Sequence, residues 1–137
     1  MPTPRLLRPT VCYDELLAAM RQARQRIAIS AMIGLWDTVT QPLFEAALDG
    51  AQRGLDVHIM FDRFGMGPIG EGNLRLSPSF WRQRAATLAA LEELQAAGAR
   101  VSLIGTFKSP NPYKGRYHAK IYLADNRYFS FGGINCS

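Results

Sequence analysis

The sequence predicts an α/β sandwich, in which helices pack on both sides of a mixed and largely parallel sheet. Apolar strand-like segments alternate with helical segments of ten or more residues, as crossover connections between parallel strands require. The last two strand-like segments are separated only by a short turn, which indicates an antiparallel hairpin. With 137 residues and 47% hydrophobic composition, the chain can bury the core of one domain, 1–137.

Three helices are predicted from apolar residues that recur at helical spacing. They cover residues 13–25, 41–53 and 79–97. Gly54 and Gly98 directly follow the second and third helices, at the position where a glycine commonly ends a helix.

Five segments have the composition of strands. Asp125 and Asn126 supply the turn between the last two of them. We expect the first four to share one sheet, and we expect glycine-rich residues 65–72 and residues 105–115 to form loops. The five strand segments are 26–33, 55–61, 99–104, 116–123 and 127–131.

The candidate functional residues begin in the hairpin. His118 and Lys120 are two positions apart, so their side chains point to the same face of a strand. We expect them side by side on a concave, partly exposed surface, while the alternate set, which includes Ile121 and Leu123, forms the apolar face.

The glycine pair that follows the hairpin, Gly132 and Gly133, lets the backbone approach a ligand closely, and Asn135 stands just beyond it. A histidine, a fixed cation and a neutral hydrogen-bond donor are the groups that a phosphodiester oxyanion requires. The sequence therefore predicts a phosphate-directed site at the hairpin.

These residues carry a resemblance to a known family. Their spacing resembles the HxKxxxxD motif and the trailing GGxN of the phospholipase D superfamily. The order of helices and strands is also similar to one half of that fold over nearly the whole chain. The residues that match the motif are His118, Lys120, Asp125, Gly132, Gly133 and Asn135.

The resemblance implies a catalytic set of His118, Lys120 and Asp125 that works without a metal or other cofactor. His118 would attack phosphorus and form a phosphohistidine, or act as the general acid. Lys120 and Asn135, with the glycine pair, would hold the phosphate oxygens. Asp125, at the turn, is expected to have a structural or orienting role.

The superfamily implies two facing motifs, and this chain contains one. We expect the chain to be the amino-terminal half of a longer two-motif enzyme. The alternative is a homodimer that brings two copies of His118 together. An isolated half is expected to be inactive unless it dimerises.

Three functions remain open from the sequence. The first is a phosphatidyl-transferring or phospholipid-hydrolysing enzyme like cardiolipin synthase, with an apolar lining for acyl chains. The second is a metal-independent endonuclease, for which the net charge of +5 is adequate although the basic residues are dispersed. The third is a non-catalytic half that binds an anion. The acyl lining would consist of Trp36, Phe64, Met66 and Ile69.

Other features limit the location and chemistry of the protein. No apolar window is long enough for a spanning helix, and the first ten residues do not resemble a signal peptide, so we expect a cytoplasmic protein or peripheral contact with the inner face of a membrane. Cys12 and Cys136 match no disulfide framework. Asp37 and Asp62 follow strands, at the carboxyl ends where open α/β sheets place site residues, but we interpret them first as caps or loop residues. His58 is interpreted as a core or edge histidine.

Overall fold

The computed structural model describes residues 8–31, 34–63, 65–70, 73–74, 76–105 and 119–132. These residues form a five-stranded mixed sheet, three helices and a separate two-stranded sheet. The elements in chain order are α1 Pro9–Gln22, β1 Arg26–Ala31, α2 Gln41–Gln52, β2 Asp56–Asp62, β3 Ile69–Gly70, β4 Asn73–Leu74, α3 Pro78–Ala96, β5 Arg100–Ile104, β6 Lys120–Ala124 and β7 Tyr128–Gly132.

The five-stranded sheet has the order β5-β2-β1-β6-β7. Strands β1, β2 and β5 are parallel, β6 is antiparallel to β1, and β7 is antiparallel to β6. The prediction of one mixed, largely parallel sheet is confirmed. The parallel strands end along one side of the sheet, where β6 begins and β7 ends. We call this side the carboxyl edge, and its residues are Ala31, Asp62, Ile104, Lys120 and Gly132.

The three helices form one layer, because α2 contacts both α1 and α3. Strands β1, β2 and β5 advance across the sheet in one direction, and crossovers of the same hand then place α2 and α3 on the same face. We call this the helix-covered face. The residues that the structure describes include no second helical layer on the opposite face, which we call the open face, so the helices expected on that side are not among them.

The core lies between the helices and the helix-covered face. It is apolar because alternate side chains of each strand point into it. Fully burying an aliphatic or aromatic side chain of this kind contributes roughly 1.5–3 kcal/mol. The largest of its fully buried apolar side chains are those of Met20, Ile27, Val57, Ile59, Phe61 and Leu94.

The open face is apolar on its β6–β7 side. Phe129 and Phe131 are 66% and 70% exposed there, and Ile121 and Leu123 beside them are only half-buried. Ser30, on the central strand, is 8% exposed, and its Oγ has no hydrogen-bond partner among the described residues. A buried hydroxyl without a partner is destabilising.

The main differences from the prediction are in helix α1 and in the segment 65–72. Helix α1 begins at Pro9 rather than at residue 13. Helix α1 ends at Gln22 rather than at residue 25, because the backbone N–H groups of residues 24–26 donate to the Asp125 carboxylate. The segment 65–72, predicted as a flexible loop, contributes Ile69–Gly70 to a short hairpin with Asn73–Leu74. Residues 116–118 of the predicted strand lie outside the described residues.

Candidate functional site

Lys120 opens β6 at the carboxyl edge and is 1% exposed. It belongs to the helix-covered face together with Tyr122 and Ala124, which are also buried. The expectation of a partly exposed lysine is therefore wrong, and so is the expectation that Ile121 and Leu123 face the core. Both alternating sets of β6 contain apolar residues, so the period of two predicted the strand without identifying its buried side.

Gly132 pairs directly with Lys120 across the β6–β7 ladder. A Cβ atom built on Gly132 would meet no atom of the described residues within 4 Å, so none of them fills the space beside this backbone. The structure thus brings two of the predicted site residues together at one corner of the sheet. His118, Gly133 and Asn135 lie outside the described residues.

Asp125 forms a clasp between the hairpin turn and the start of β1. Its carboxylate accepts hydrogen bonds from the backbone N–H groups of Arg24 at 2.9 Å, Gln25 at 2.8 Å and Arg26 at 3.0 Å. These bonds favour the ionised form, and they hold the pKa of Asp125 below its usual value, with the bond from Arg26 as the largest cause. Asp125 has a φ of 51°, a conformation that aspartate and asparagine tolerate better than most residues.

The clasp lies at the opposite end of β6 from Lys120. A strand rises by about 3.3 Å per residue, so the backbones of Lys120 and Asp125 are about 16 Å apart. The carboxylate therefore has no access to an anion held at Lys120. Its three bonds instead join β6 to the start of β1, where Ala124 pairs with Ile27.

Replacing Asp125 with alanine is expected to lower the free energy of unfolding at neutral pH by about 1–2 kcal/mol, the range of a lost side-chain cap. Asp125→Asn should lose less, because an amide oxygen still accepts hydrogen bonds and asparagine tolerates positive φ. The wild-type carboxylate has a lowered pKa in the folded state, so its stabilising effect is complete above the unfolded value near 3.8. It disappears as the pH falls through the lower folded value.

Urea unfolding followed by circular dichroism at pH 7 and at pH 2–4 measures both effects. A difference between wild type and Asp125→Ala that stays constant down to pH 2 would contradict the clasp.

A second attachment joins the hairpin to α1. The Cys12 thiol lies 3.2 Å from the Tyr128 hydroxyl and 3.4 Å from the Ser130 hydroxyl, and Tyr128 also donates to the Cys12 carbonyl oxygen at 3.0 Å. Burial, followed by the hydrogen bond with Cys12, raises the pKa of Tyr128. The hairpin that presents Lys120 is thus fixed from both the sheet and the helical layer.

Asp37 stabilises the turn between β1 and α2. Its Oδ1 accepts from the backbone N–H groups of Val39 at 2.8 Å and Thr40 at 2.7 Å, just before α2 begins. This is a loop and capping geometry, as interpreted from the sequence.

Asp62 is fully buried at the carboxyl edge and precedes no helix. Its Oδ1 lies 3.4 Å from the N–H of Gly65, and a Cβ atom on Gly105 would be 3.7 Å from it. His58 is half-buried on β2, an interior strand, and its Nε2 lies 3.2 Å from the Ser102 hydroxyl, which agrees with a hydrogen-bonded structural histidine rather than an edge one.

Two buried threonines hold the loop after β1, and no pattern in the sequence pointed to either of them. The Thr87 hydroxyl on α3 accepts from the N–H of Trp36 at 2.7 Å, and the Thr40 hydroxyl donates to the Leu35 carbonyl at 2.5 Å.

Of the four residues expected to line an acyl site, Met66 belongs to the core. The side chains of Phe64 and Ile69 lie outside what the structure describes.

Within the described ranges, no three His, Cys, Asp or Glu side chains are grouped as a metal site would require. Among the same residues, no helix has the length and apolar character needed to cross a bilayer.

Comparison with known sequences gives a family match over most of the chain. The model of the family described as cardiolipin synthase, PLD-like domain matches residues 16–137. Cardiolipin synthase B of Salmonella typhi is 31% identical over 132 residues, and that of Escherichia coli K12 is 30% identical. In both cases the match includes 91% of this chain and 27% of the relative, so the chain spans about a quarter of their length.

Two solved structures have a similar fold. Nuc from Salmonella typhimurium, a phospholipase D family member, superposes with a TM-score of 0.57 at 19% identity, covering 90% of this chain and 64% of that one. NucT from Helicobacter pylori gives a TM-score of 0.59 at 20% identity, covering 93% and 69%.

Proposed function

The chain belongs to the family of cardiolipin synthase PLD-like domains in the phospholipase D superfamily, and on this premise we propose that it supplies half of a phospholipid-directed phosphodiester site. The reaction is cleavage or transfer of a phosphatidyl group. The observation that carries the proposal is the spacing of His118, Lys120 and the Gly132–Gly133 pair within the matched region.

In the first chemical step, the neutral imidazole of His118 attacks phosphorus. A nitrogen–phosphorus bond forms, the bond to the leaving alcohol breaks, and the leaving alkoxide takes a proton from the histidine of a second motif. In the second step, an acceptor alcohol or water gives its proton to that second histidine as its oxygen attacks phosphorus. The bond to His118 then breaks, which restores the imidazole.

Lys120, Asn135 and the glycine pair hold the non-bridging oxygens through both steps. The burial of Lys120 supports this role, because a cation shielded from water attracts a phosphate more strongly than an exposed one. The space beside Gly132, which none of the described residues fills, leaves room for the anion. Asp125 acts as a positioning residue that fixes β6 through its clasp.

The second histidine comes from another segment of the polypeptide or from a second copy of this chain. A metal-independent nuclease is the second candidate function. The sequence pI near 9.6 suits an anionic nucleic acid, and it suits an anionic lipid headgroup equally.

The test compares two substrates in excess chelator with the purified protein, whose oligomeric state is measured by light scattering. We expect headgroup release or cardiolipin formation from phosphatidylglycerol vesicles, detected by mass spectrometry and unchanged by the chelator. Nicking of supercoiled plasmid without lipid turnover would instead favour the nuclease. If a dimer that contains two copies of His118 shows neither activity, the result favours a non-catalytic domain that binds an anion.

A further inference from the structure

Trp36 lies in the loop that joins β1 to α2, and its side chain is half-buried. Its ring centroid is 5.4 Å from that of Phe44, and the ring of Phe44 is 6.0 Å from that of Phe61. We call these three side chains the aromatic row. The row connects the sheet to the surface, and part of the indole at its outer end is accessible.

The aromatic row reaches the same face and the same edge of the sheet as Lys120. Phe61 pairs with Ala31 on the helix-covered face. Ser30 on β1 pairs with Ile121 on β6, and the two strands are antiparallel. Ala31 therefore lies beside Lys120, the next position of the same ladder. Adjacent strands are about 4.8 Å apart, so the backbones of Phe61 and Lys120 are about 10 Å apart.

The loop that carries Trp36 is held by buried hydrogen bonds. Thr40 and Thr87, which bind the backbone at Leu35 and Trp36, are both completely buried. At Gly34, a Cβ atom would lie 2.5 Å from the Phe61 ring, so the backbone crosses directly over that ring. A loop fixed in this way presents its side chains without an ordering cost when a ligand binds.

The surroundings of Trp36 suit hydrocarbon. Val39 in the same loop is 50% exposed, and the only charged residue between Gly34 and Thr40 is the acidic Asp37. A small core cavity lies beside Phe44 and Phe61, the inner two members of the row, and its lining is hydrocarbon except for Thr40, whose hydroxyl is already hydrogen-bonded. The lining residues are Ile29, Thr40, Leu43, Phe44, Ile59 and Phe61.

We propose that Trp36 is a specificity residue that packs against the glyceride and first acyl carbons of a phospholipid whose phosphate is held at Lys120. This inference rests on the proposed function and deepens it by naming the part of the substrate that is recognised. Aromatic platforms that stack nucleobases are combined with positively charged grooves. The acidic residue beside Trp36 and the apolar side chains around it favour lipid over nucleic acid.

The two tryptophans of the chain make a direct test possible. Trp81, on α3, is 44% exposed and packs against Phe80 and Arg84. Trp81→Phe leaves Trp36 as the only indole, and Trp36→Phe leaves Trp81 as the matched control. Both proteins are titrated with monomeric short-chain phosphatidylglycerol, with glycerophosphoglycerol that lacks acyl chains, and with an oligothymidylate, while calorimetry measures binding independently.

In Trp81→Phe, where Trp36 is the only indole, we expect the diacyl ligand alone to shift the emission to shorter wavelength. In Trp36→Phe, where Trp81 remains, we expect no shift with any ligand. Binding of the diacyl ligand by calorimetry without a change in Trp36 emission would overturn the inference while leaving the proposed function intact. An equal shift with oligothymidylate would overturn it in favour of a base-stacking role. Absence of phospholipid binding altogether would reject the proposed function as well.

Kinetics give a second readout. Trp36→Ala should raise KM for diacyl phosphatidylglycerol by about tenfold or more, the size of effect typical of a buried aromatic anchor, with little change in kcat. The KM for glycerophosphoglycerol should not change. If Trp36→Ala lowers only kcat, or raises KM equally for both substrates, then Trp36 does not contact the acyl end.

Discussion

We expect His118→Ala to abolish turnover of phosphatidylglycerol in the active protein, with a loss of roughly four or more orders of magnitude in kcat. In the proposed mechanism His118 is the covalent nucleophile and takes part in both chemical steps, so its removal takes away the nitrogen that forms the intermediate. The circular dichroism spectrum should remain that of the wild type.

Quenching the wild-type enzyme during turnover with labelled substrate should trap a phosphoryl adduct that is acid-labile and base-stable, on a peptide that contains His118. The same experiment on His118→Ala should trap none. If the adduct forms normally in that variant, the nucleophile is the histidine of the second motif, and His118 is the general acid.

Lys120→Met is expected to reduce kcat/KM by a factor of about a hundred or more, as removal of a group that stabilises transition-state charge typically does. Methionine is unbranched and similar in length to lysine, so it fits the buried position at the start of β6. Lys120→Arg retains the charge and should still lose activity, because the planar guanidinium cannot reproduce the compact ammonium in a closed space.

Ser30→Ala is the matched control for Lys120→Met. Ser30 is also buried near the carboxyl edge, but its side chain belongs to the open face. Its hydroxyl has no hydrogen-bond partner within the described part of the chain, so its removal should leave activity unchanged and keep or raise the free energy of unfolding. Activity of Lys120→Met within threefold of wild type would remove Lys120 from the phosphate site.

Most of the fold was predictable because each element has a strong local pattern. Helix α2 was expected to begin at Gln41 and does, and the four predicted sheet segments share one sheet. Local patterns failed where a distant residue decides the outcome. Asp125 ends α1 early by binding backbone groups of residues 24–26, about a hundred positions away in sequence.

The site was predictable in its residue types and only partly in its geometry. The spacing of Lys120 and Gly132 indicated a common location, and the two residues pair across the hairpin. The side of the sheet to which Lys120 points was not predictable from alternation, because it depends on where α1 and α2 pack. The threonines that hold the Trp36 loop gave no signal either, since each acts through a partner on another element.

The open face has a thermodynamic consequence. Phe129 and Phe131 expose apolar surface beside Ile121 and Leu123 in the folded chain, and water is a poor solvent for that surface. A partner that covers this surface in the folded chain and does not bind the unfolded chain raises the free energy of unfolding with the logarithm of its concentration. In the presence of such a partner, the melting temperature of this chain would depend on the partner's concentration.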